Sequence, residues 1–215
     1  MRFTAEDIKS RLTCALPGAE AQWRLAPLGR SQALPTNAQK AAVLVPLVLE
    51  ANQTSVILIR RTEYNGAHSG QLAFPGGKFD AGEEHAEHVA LREAREEIGL
   101  MEHQCRIVGH LSSLYIPVSG MHVFPVVATL NENLSLLKNE REVEEIHQIP
   151  LVSFLEETRL GKFNLPEINR SVPGFKLETG ILWGATAMMV SELLDVLLPN
   201  LWRQLSQRYF NNDEQ

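Results

Sequence analysis

Cysteine is scarce in this chain: two of 215 residues, Cys14 and Cys105. Two thiols cannot form a disulfide framework, so a small stapled scaffold is excluded and a reducing, cytoplasmic setting is expected. Long apolar runs are missing as well. The most apolar late stretch, Ile181 to Trp202, is broken by Glu192, Asp195 and Pro199. It reads as a core helix, and no membrane span is expected. Met1 to Asp7 carries no apolar signal segment. A surplus of positive charge is also lacking, with 20 Lys and Arg against 26 Asp and Glu and a net charge of -6. Nucleic-acid backbones are gripped by clustered cations, so a general nucleic-acid partner is not expected. An anionic small substrate stays open, because local cations and bound metal override net charge. Internal repeats and low-complexity tracts are absent from the sequence.

What is present suffices for one sizeable core. At 44% hydrophobic content, a second independent domain is not expected. Thr4 and Asp7 can cap a short helix through Ile8 and Leu12, ended by Pro17-Gly18. Residues 18–40 are polar, with Pro27, Gly29, Pro35 and Asn37, and read as an extension or linker. Ala41–Leu49 and Ser55–Ile59 are short apolar runs rich in Val and Ile, as in buried strands, with Asn52-Gln53 turning between them. Gln71–Phe74 is a brief strand. A helix is expected over 84–98 with Gly99 as its C-terminal cap. Arg106–Leu111 and Val123–Leu130 follow as strands, then a short helix near Leu151–Glu156 and a last helix over Gly184–Leu198. Residues 161–180, with Pro166 and Pro173, give no readable pattern. Strands interleaved with helices imply an α/β fold.

The chemistry concentrates in two adjacent stretches, Pro75-Gly76-Gly77 and Arg92-Glu93-Ala94-Arg95-Glu96-Glu97-Ile98-Gly99-Leu100. At about 100° per residue, Glu93, Glu96 and Glu97 fall in one sector of a helix. Leu91, Ala94 and Ile98 lie roughly opposite, as a packing stripe. Like charges one turn apart destabilise an isolated helix. A chain that keeps them together points to recruited cations, and oxygen donors suit hard divalent ions, Mg²⁺ above all. Glutamates on a helix are more often a solvated face. The register with the glycine turn, Arg92 and Gly99 argues against that here.

These residues resemble the Nudix hydrolase box, in which a glycine, a glutamate and then Arg-Glu-x-x-Glu-Glu-x-Gly-apolar recur at fixed spacing. The downstream half matches throughout. Six residues separate Gly77 from Glu84, where the commonest form has five. That longer spacer marks the branch that resembles coenzyme A pyrophosphatases. The same branch carries a pre-box signature, matched here at Arg61, Gly70 and Phe74-Pro75-Gly76-Gly77. It departs at Thr62 for Ser and at Gly66, which stands where the branch has an arginine. Tyr115-Ile116-Pro117-Val118-Ser119-Gly120, Val123-Phe124-Pro125-Val126-Val127 and Trp183-Gly184-Ala185-Thr186-Ala187 also look like this branch.

The resemblance implies an α/β/α sandwich with a central mixed sheet, with residues 1–40 as an N-terminal extension and 41–215 as the Nudix domain. It implies Mg²⁺- or Mn²⁺-dependent hydrolysis of a pyrophosphate bond in a small nucleotide derivative by a monomer or homodimer. Coenzyme A or its acyl forms, cut to 3′,5′-ADP and 4′-phosphopantetheine, is the first substrate expected. Dinucleoside polyphosphates, NADH, ADP-ribose and noncanonical nucleoside triphosphates are alternatives, and so is a Nudix-shaped binding module. By this resemblance Glu93, Glu96 and Glu97 are metal ligands, with Glu84 reaching them from the loop. Glu97 and Glu96 also carry catalysis. Glu97 is one candidate general base, and the segment Glu140, Glu142, Glu144, Glu145 offers others.

Arg92 is expected to orient the carboxylates through an i to i+4 pair with Glu96. Gly76 and Gly77 are expected to allow close backbone approach, Arg61 to meet a phosphate, and His68 to stand on the substrate side. His85 and His88, three residues apart, lack the supporting ligands of a zinc site and read as exposed histidines.

Overall fold

A computed structural model describes residues 1–30, 33–63, 68–132 and 134–210. The chain opens with helix α1 (Ala5–Leu12). Its expected cap is formed reciprocally: the Asp7 amide donates to Thr4 Oγ1 at 3.1 Å, and the Thr4 amide donates to Asp7 Oδ2 at 2.9 Å. A short helix α2 (Ala19–Gln22) and one 3₁₀ turn (Trp23–Leu25) follow. The sheet then begins with β1 (Gln39–Leu49), β2 (Thr54–Arg61), β3 (Leu72–Ala73) and β4 (Gly76–Lys78). Helix α3 (Ala86–Ile98) precedes β5 (Cys105–His110), β6 (Leu114–Ile116), β7 (Met121–Asn131) and β8 (Val143–Pro150). After a 3₁₀ turn at Leu151–Leu155 come β9 (Leu160–Leu165), β10 (Arg170–Leu177) and β11 (Gly180–Trp183). Helices α4 (Gly184–Leu197) and α5 (Pro199–Phe210) complete the described chain.

The main sheet runs β3-β2-β1-β7-β5, with β4 paired to β1, β6 to β7 and β8 to β2. Among the described residues, only β1 and β7 run parallel within it, from Gln39 opposite Met121 to Leu49 opposite Asn131. The sheet is therefore mixed. β1 reads as a nearly continuous apolar run because both of its faces are covered. Ala42, Leu44 and Val48 pack with Val89, Ala90, Ala94 and Ile98 of α3. Ala41, Val45 and Leu47 belong to the other core, with Met188, Val190, Leu193 and Leu194 of α4. This is the expected α/β/α arrangement, two helical layers about one mixed sheet.

Four segments differ from the sequence expectations. Residues 19–25 are not a bare linker: Ala21, Gln22 and Leu25 are buried, and Phe3, Ile8, Leu12 and Leu25 join the α4 core. The unreadable stretch 161–180 forms a separate antiparallel sheet in the order β11-β10-β9. Its middle strand holds Pro173 and Gly174, residues that disfavour strands in isolation. Gly174 is used for close approach, since a Cβ there would stand 2.3 Å from the Leu182 carbonyl oxygen. Val143–Pro150 adds strand β8 to those expected, and Pro199 opens a further helix rather than closing the last one, as its pre-set φ allows.

The helix that carries the site is held at both ends. Gly99 ends it in the left-handed region at φ 67°, with its amide donating to the Arg95 carbonyl at 3.1 Å and the Leu100 amide to Ala94 at 3.3 Å. At the far end His85 occupies the cap position without a side-chain bond. Its start is secured instead by Arg92, which reaches back to the preceding loop.

Candidate active site

Strand β4 lies directly under α3. Gly76 and Gly77 pair with Val43 and Ala42 of β1. A Cβ on Gly77 would fall 2.3 Å from Glu93 Oε1, and one on Gly76 would fall 2.4 Å from the Ala42 carbonyl oxygen. The two glycines therefore let helix, strand and carboxylate share one space, which is the close backbone approach expected of them. No other residue type could occupy Gly77 without displacing Glu93.

Glu97 points into that space and is 1% exposed. It accepts from the Gly76 amide at 2.8 Å and from Arg61 Nη1 at 3.3 Å. Burial pushes its carboxyl up to about 7, against the opposing pull of Arg61 and of the Gly76 amide, with Glu93 and Glu142 adding repulsion. Glu93 is also raised, first by burial, while Arg92 draws it down and Glu96 and Glu142 push it up. The stripe facing the sheet is thus Val89, Ala90, Ala94, Glu97 and Ile98, with a carboxylate inside what the sequence reads as the polar sector.

Arg92 organises the outer half of the cluster. Its Nη1 donates to Glu93 Oε1 at 2.8 Å and to Glu96 Oε2 at 3.3 Å, so the expected i to i+4 pair is formed. Its Nε and Nη2 grip the two Glu83 oxygens at 3.0 Å each, and Nη2 also donates to the Lys78 carbonyl at 3.0 Å. This bidentate fork is the geometry that guanidinium fits best. Glu83, not Glu84, is the loop glutamate tied to the helix, and Glu84 is exposed. The box spacing points to Glu84, whereas the Arg92 fork closes on its neighbour.

The other expected residues fall as follows. Arg61 sits at the end of β2 against Glu97, 27% exposed. His68 lies in the left-handed region at φ 68°, its Nδ1 3.1 Å from Gln71 Oε1 and its buried Nε2 without a partner among the described residues. It folds on its own loop rather than onto the carboxylates. Gly66 lies outside the described residues. Among the acidic segment, Glu142 is the member that acts on both Glu93 and Glu97. The Asn139 amide donates to the Glu97 carbonyl at 2.9 Å, and Asn139 Nδ2 donates to Glu142 Oε1 at 3.2 Å. The Thr62 amide bonds the Glu142 carbonyl at 3.0 Å. Glu144 and Glu145 lie on β8, where Glu145 pairs with Arg60 at 3.2 Å.

Arg60 was not anticipated at all. Its Nη1 donates to the Gly70 carbonyl at 3.1 Å and its Nη2 to the Thr179 carbonyl. One side chain thereby joins the main sheet, the segment leading to Gly76, and the turn between β10 and β11. The pattern of the second sheet would have been needed to foresee it.

Among the described residues, no three His, Cys, Asp or Glu side chains converge tightly enough to hold an ion as they stand. The donor chemistry nonetheless fits a hard divalent cation. Glu93, Glu96 and Glu97 supply only carboxylate oxygens, and burial raises the carboxyls of Glu93 and Glu97 against the pull of Arg92 on the first and of Arg61 and the Gly76 amide on the second.

A model of the NUDIX domain matches residues 38–168. The uncharacterized Nudix hydrolase NudL of Yersinia enterocolitica serotype O:8 / biotype 1B is 34% identical over 162 residues, 73% of this chain and 80% of the relative. NudL of Yersinia pestis (strain Pestoides F) is 34% identical over 157 residues, 72% and 78% of the two chains. The crystal structure of a MutT/nudix family protein from Enterococcus faecalis superposes with a TM-score of 0.51 at 16% identity, over 95% of this chain and 80% of that one. At that identity the likeness is one of fold.

Proposed function

The chain belongs to the Nudix hydrolase family, and from that premise we propose that it hydrolyses the pyrophosphate bond of coenzyme A or an acyl-coenzyme A, giving 3′,5′-ADP and the matching 4′-phosphopantetheine. The hydrolase reading rests on one observation above the others: the buried Glu97 beside Glu93, over two β4 glycines at which a Cβ would meet the Ala42 carbonyl or Glu93 itself. The narrower substrate rests on the pre-box signature at Arg61, Gly70 and Phe74–Gly77, and on the six-residue spacer before Glu84.

In this reading Glu93, Glu96 and Glu97 would hold a Mg²⁺ or Mn²⁺ ion. When bound, such an ion lowers the pKa of coordinated water and neutralises charge on phosphate oxygens. The chain's own residues do the rest. Arg92 keeps Glu93 and Glu96 aimed and ties the helix to the 80–83 loop. The Gly76 amide fixes the rotamer of Glu97. Arg61, exposed on one side, is placed to meet a substrate phosphate where it now meets Glu97. Glu142, oriented by Asn139 at the rim, is the best-placed member of the acidic segment to accept a proton from an attacking water.

The test is product analysis by chromatography with Mg²⁺ across coenzyme A, acetyl-coenzyme A, NADH, ADP-ribose, diadenosine polyphosphates and nucleoside triphosphates. Selective release of 3′,5′-ADP is expected. Faster cleavage of another member would keep the hydrolase and overturn the substrate. Activity that survives exhaustive EDTA treatment would overturn the metal-dependent reading.

A further inference from the structure

On the face of the sheet opposite α3, a cavity of about 150 Å³ opens between the N-terminal segment, α4 and β6. Gln22, Trp23, Arg30, Ser113, Tyr115 and Met188 are among its lining residues. Tyr115 begins the segment Tyr115–Gly120, which the sequence singled out and the hydrolytic site does not use. At about 30 Å³ per water the space holds roughly five waters, enough for a small polyatomic anion.

The charge at this cavity is unbalanced. Arg30 donates through Nη2 to the Tyr115 carbonyl, and no carboxylate pairs with it among the described residues. Burial holds its guanidinium below its usual pKa. The nearby acids are committed elsewhere. Glu192 accepts from Gln22 Nε2 at 2.8 Å and from the Gly18 and Ser112 amides at 3.2 and 3.1 Å. Asp195 accepts from Arg24 and, at 2.8 Å, from Arg203. Half-burying a guanidinium without a counter-ion is unfavourable, and a carbonyl dipole offsets that only in part. Guanidinium presents five donors in a planar fork, and among the described residues the Tyr115 carbonyl engages only Nη2 of Arg30. Ser113 adds an exposed hydroxyl at the mouth, 2.8 Å from His122 Nε2.

We infer that this cavity binds an oxyanion, the carboxylate or phosphate group of a small molecule, with Arg30 as its principal contact and the Ser113 hydroxyl as a second donor. The site is separate from the hydrolytic one, because the main sheet stands between them. Its occupant would pin residues 18–30 to α4 and β6, so binding should appear as added stability of the folded state.

The experiment is thermal unfolding in EDTA at constant ionic strength, with sodium chloride replaced stepwise by inorganic phosphate in one arm and acetate in the other. Wild type, Arg30→Gln and Arg30→Lys are compared. In at least one arm, wild-type Tm should rise with the logarithm of anion concentration, by about 3–6 °C at ten times the dissociation constant. Arg30→Gln should lose the rise and Arg30→Lys should keep part of it. The arm that responds identifies the group bound. Because phosphate could also meet Arg61, Arg61→Gln serves as a control and should respond like wild type. A flat response of wild type in both arms overturns the proposal, as does an equal rise in Arg30→Gln. Should Arg30→Gln fail to fold, saturable change in tryptophan fluorescence that disappears in Trp23→Phe gives the same decision, and its persistence overturns the site.

Discussion

Two helices bury carboxylates against opposite faces of the same sheet, and the two faces treat them differently. On α4, Glu192 is fully buried and accepts from a side-chain amide and two backbone amides, while Asp195 is gripped by Arg24 and Arg203. On α3, Glu97 is as deeply buried but has one backbone amide and one arginine contact at 3.3 Å, with Glu93 and Glu142 repelling it. Identical chemistry at helical spacing is thus a structural fastening where donors suffice and, in the proposed function, a reactive centre where they are fewer. Buried polar groups demand partners, so a built-in deficit marks where a ligand acts.

The largest break in this comparison should come from Glu97→Gln. Its amide keeps the size and one acceptor but loses the charge. Turnover in saturating Mg²⁺ should fall by about 10²–10³-fold, while circular dichroism stays native. Near wild-type rates would remove Glu97 from the reactive centre. The reciprocal change, Asp195→Ala, should leave kcat/KM intact at low temperature but cost about 3 kcal/mol of stability, because Arg24 is left mostly buried with the exposed Glu20 as its remaining acidic partner among the described residues. For a chain of this size that lowers Tm by about 6–12 °C. Loss of activity without loss of stability would blur the distinction between the two faces.

A subtler contrast lies in pH. A carboxyl whose pKa is raised by folding binds its proton more tightly in the folded chain than in the unfolded one. The stability from that proton is complete below 4.5 and is lost as pH rises through about 7. In EDTA, urea unfolding should therefore show stability falling between pH 5 and 8 by an amount on the order of 3 kcal/mol. Glu97→Gln should flatten that slope, making the variant more stable than wild type at pH 8. Saturating Mg²⁺ should restore the wild type. An unchanged slope in the variant would place the titrating group elsewhere.

The α3 face was the more legible of the two because its chemistry is local. Glu93, Glu96, Glu97, Arg92 and Gly99 sit within eight positions, and helical geometry alone brings them together. The depth of Glu97 is not legible, since it depends on the Gly76 amide of a strand brought under the helix by pairing with β1. Box spacing favours Glu84, and only the Arg92 fork shows Glu83 to be the one tied to the helix. The α4 face depends on pairs far apart in the chain: Gln22 with Glu192 and Arg24 with Asp195 are each about 170 residues apart. No local pattern announces such contacts, so residues 18–40 read as a linker. The second sheet was hidden for the opposite reason, because Pro173 and Gly174 argue locally against the central strand that tertiary pairing imposes.

The smallest predicted effect tests whether that second sheet contributes to the reactive face. Arg60 precedes Arg61 on β2, yet it points to the other side, where it holds the Gly70 and Thr179 carbonyls and Glu145. A Cβ on Gly180 would stand 3.4 Å from Arg60 Nη2, so the turn is fitted closely over the guanidinium. Arg60→Met keeps the aliphatic stem but releases both carbonyls, freeing the segment before Gly76 from the β10–β11 turn. If that segment meets substrate, KM should rise roughly three- to tenfold with kcat changed less than twofold, since the Glu97 surroundings are untouched and one or two hydrogen bonds of about 1 kcal/mol each are lost. Arg60→Lys, which can still reach one carbonyl, should recover part of the KM. A fall in Tm with KM unchanged would make Arg60 a fastening of the second sheet alone, of the same kind as Asp195.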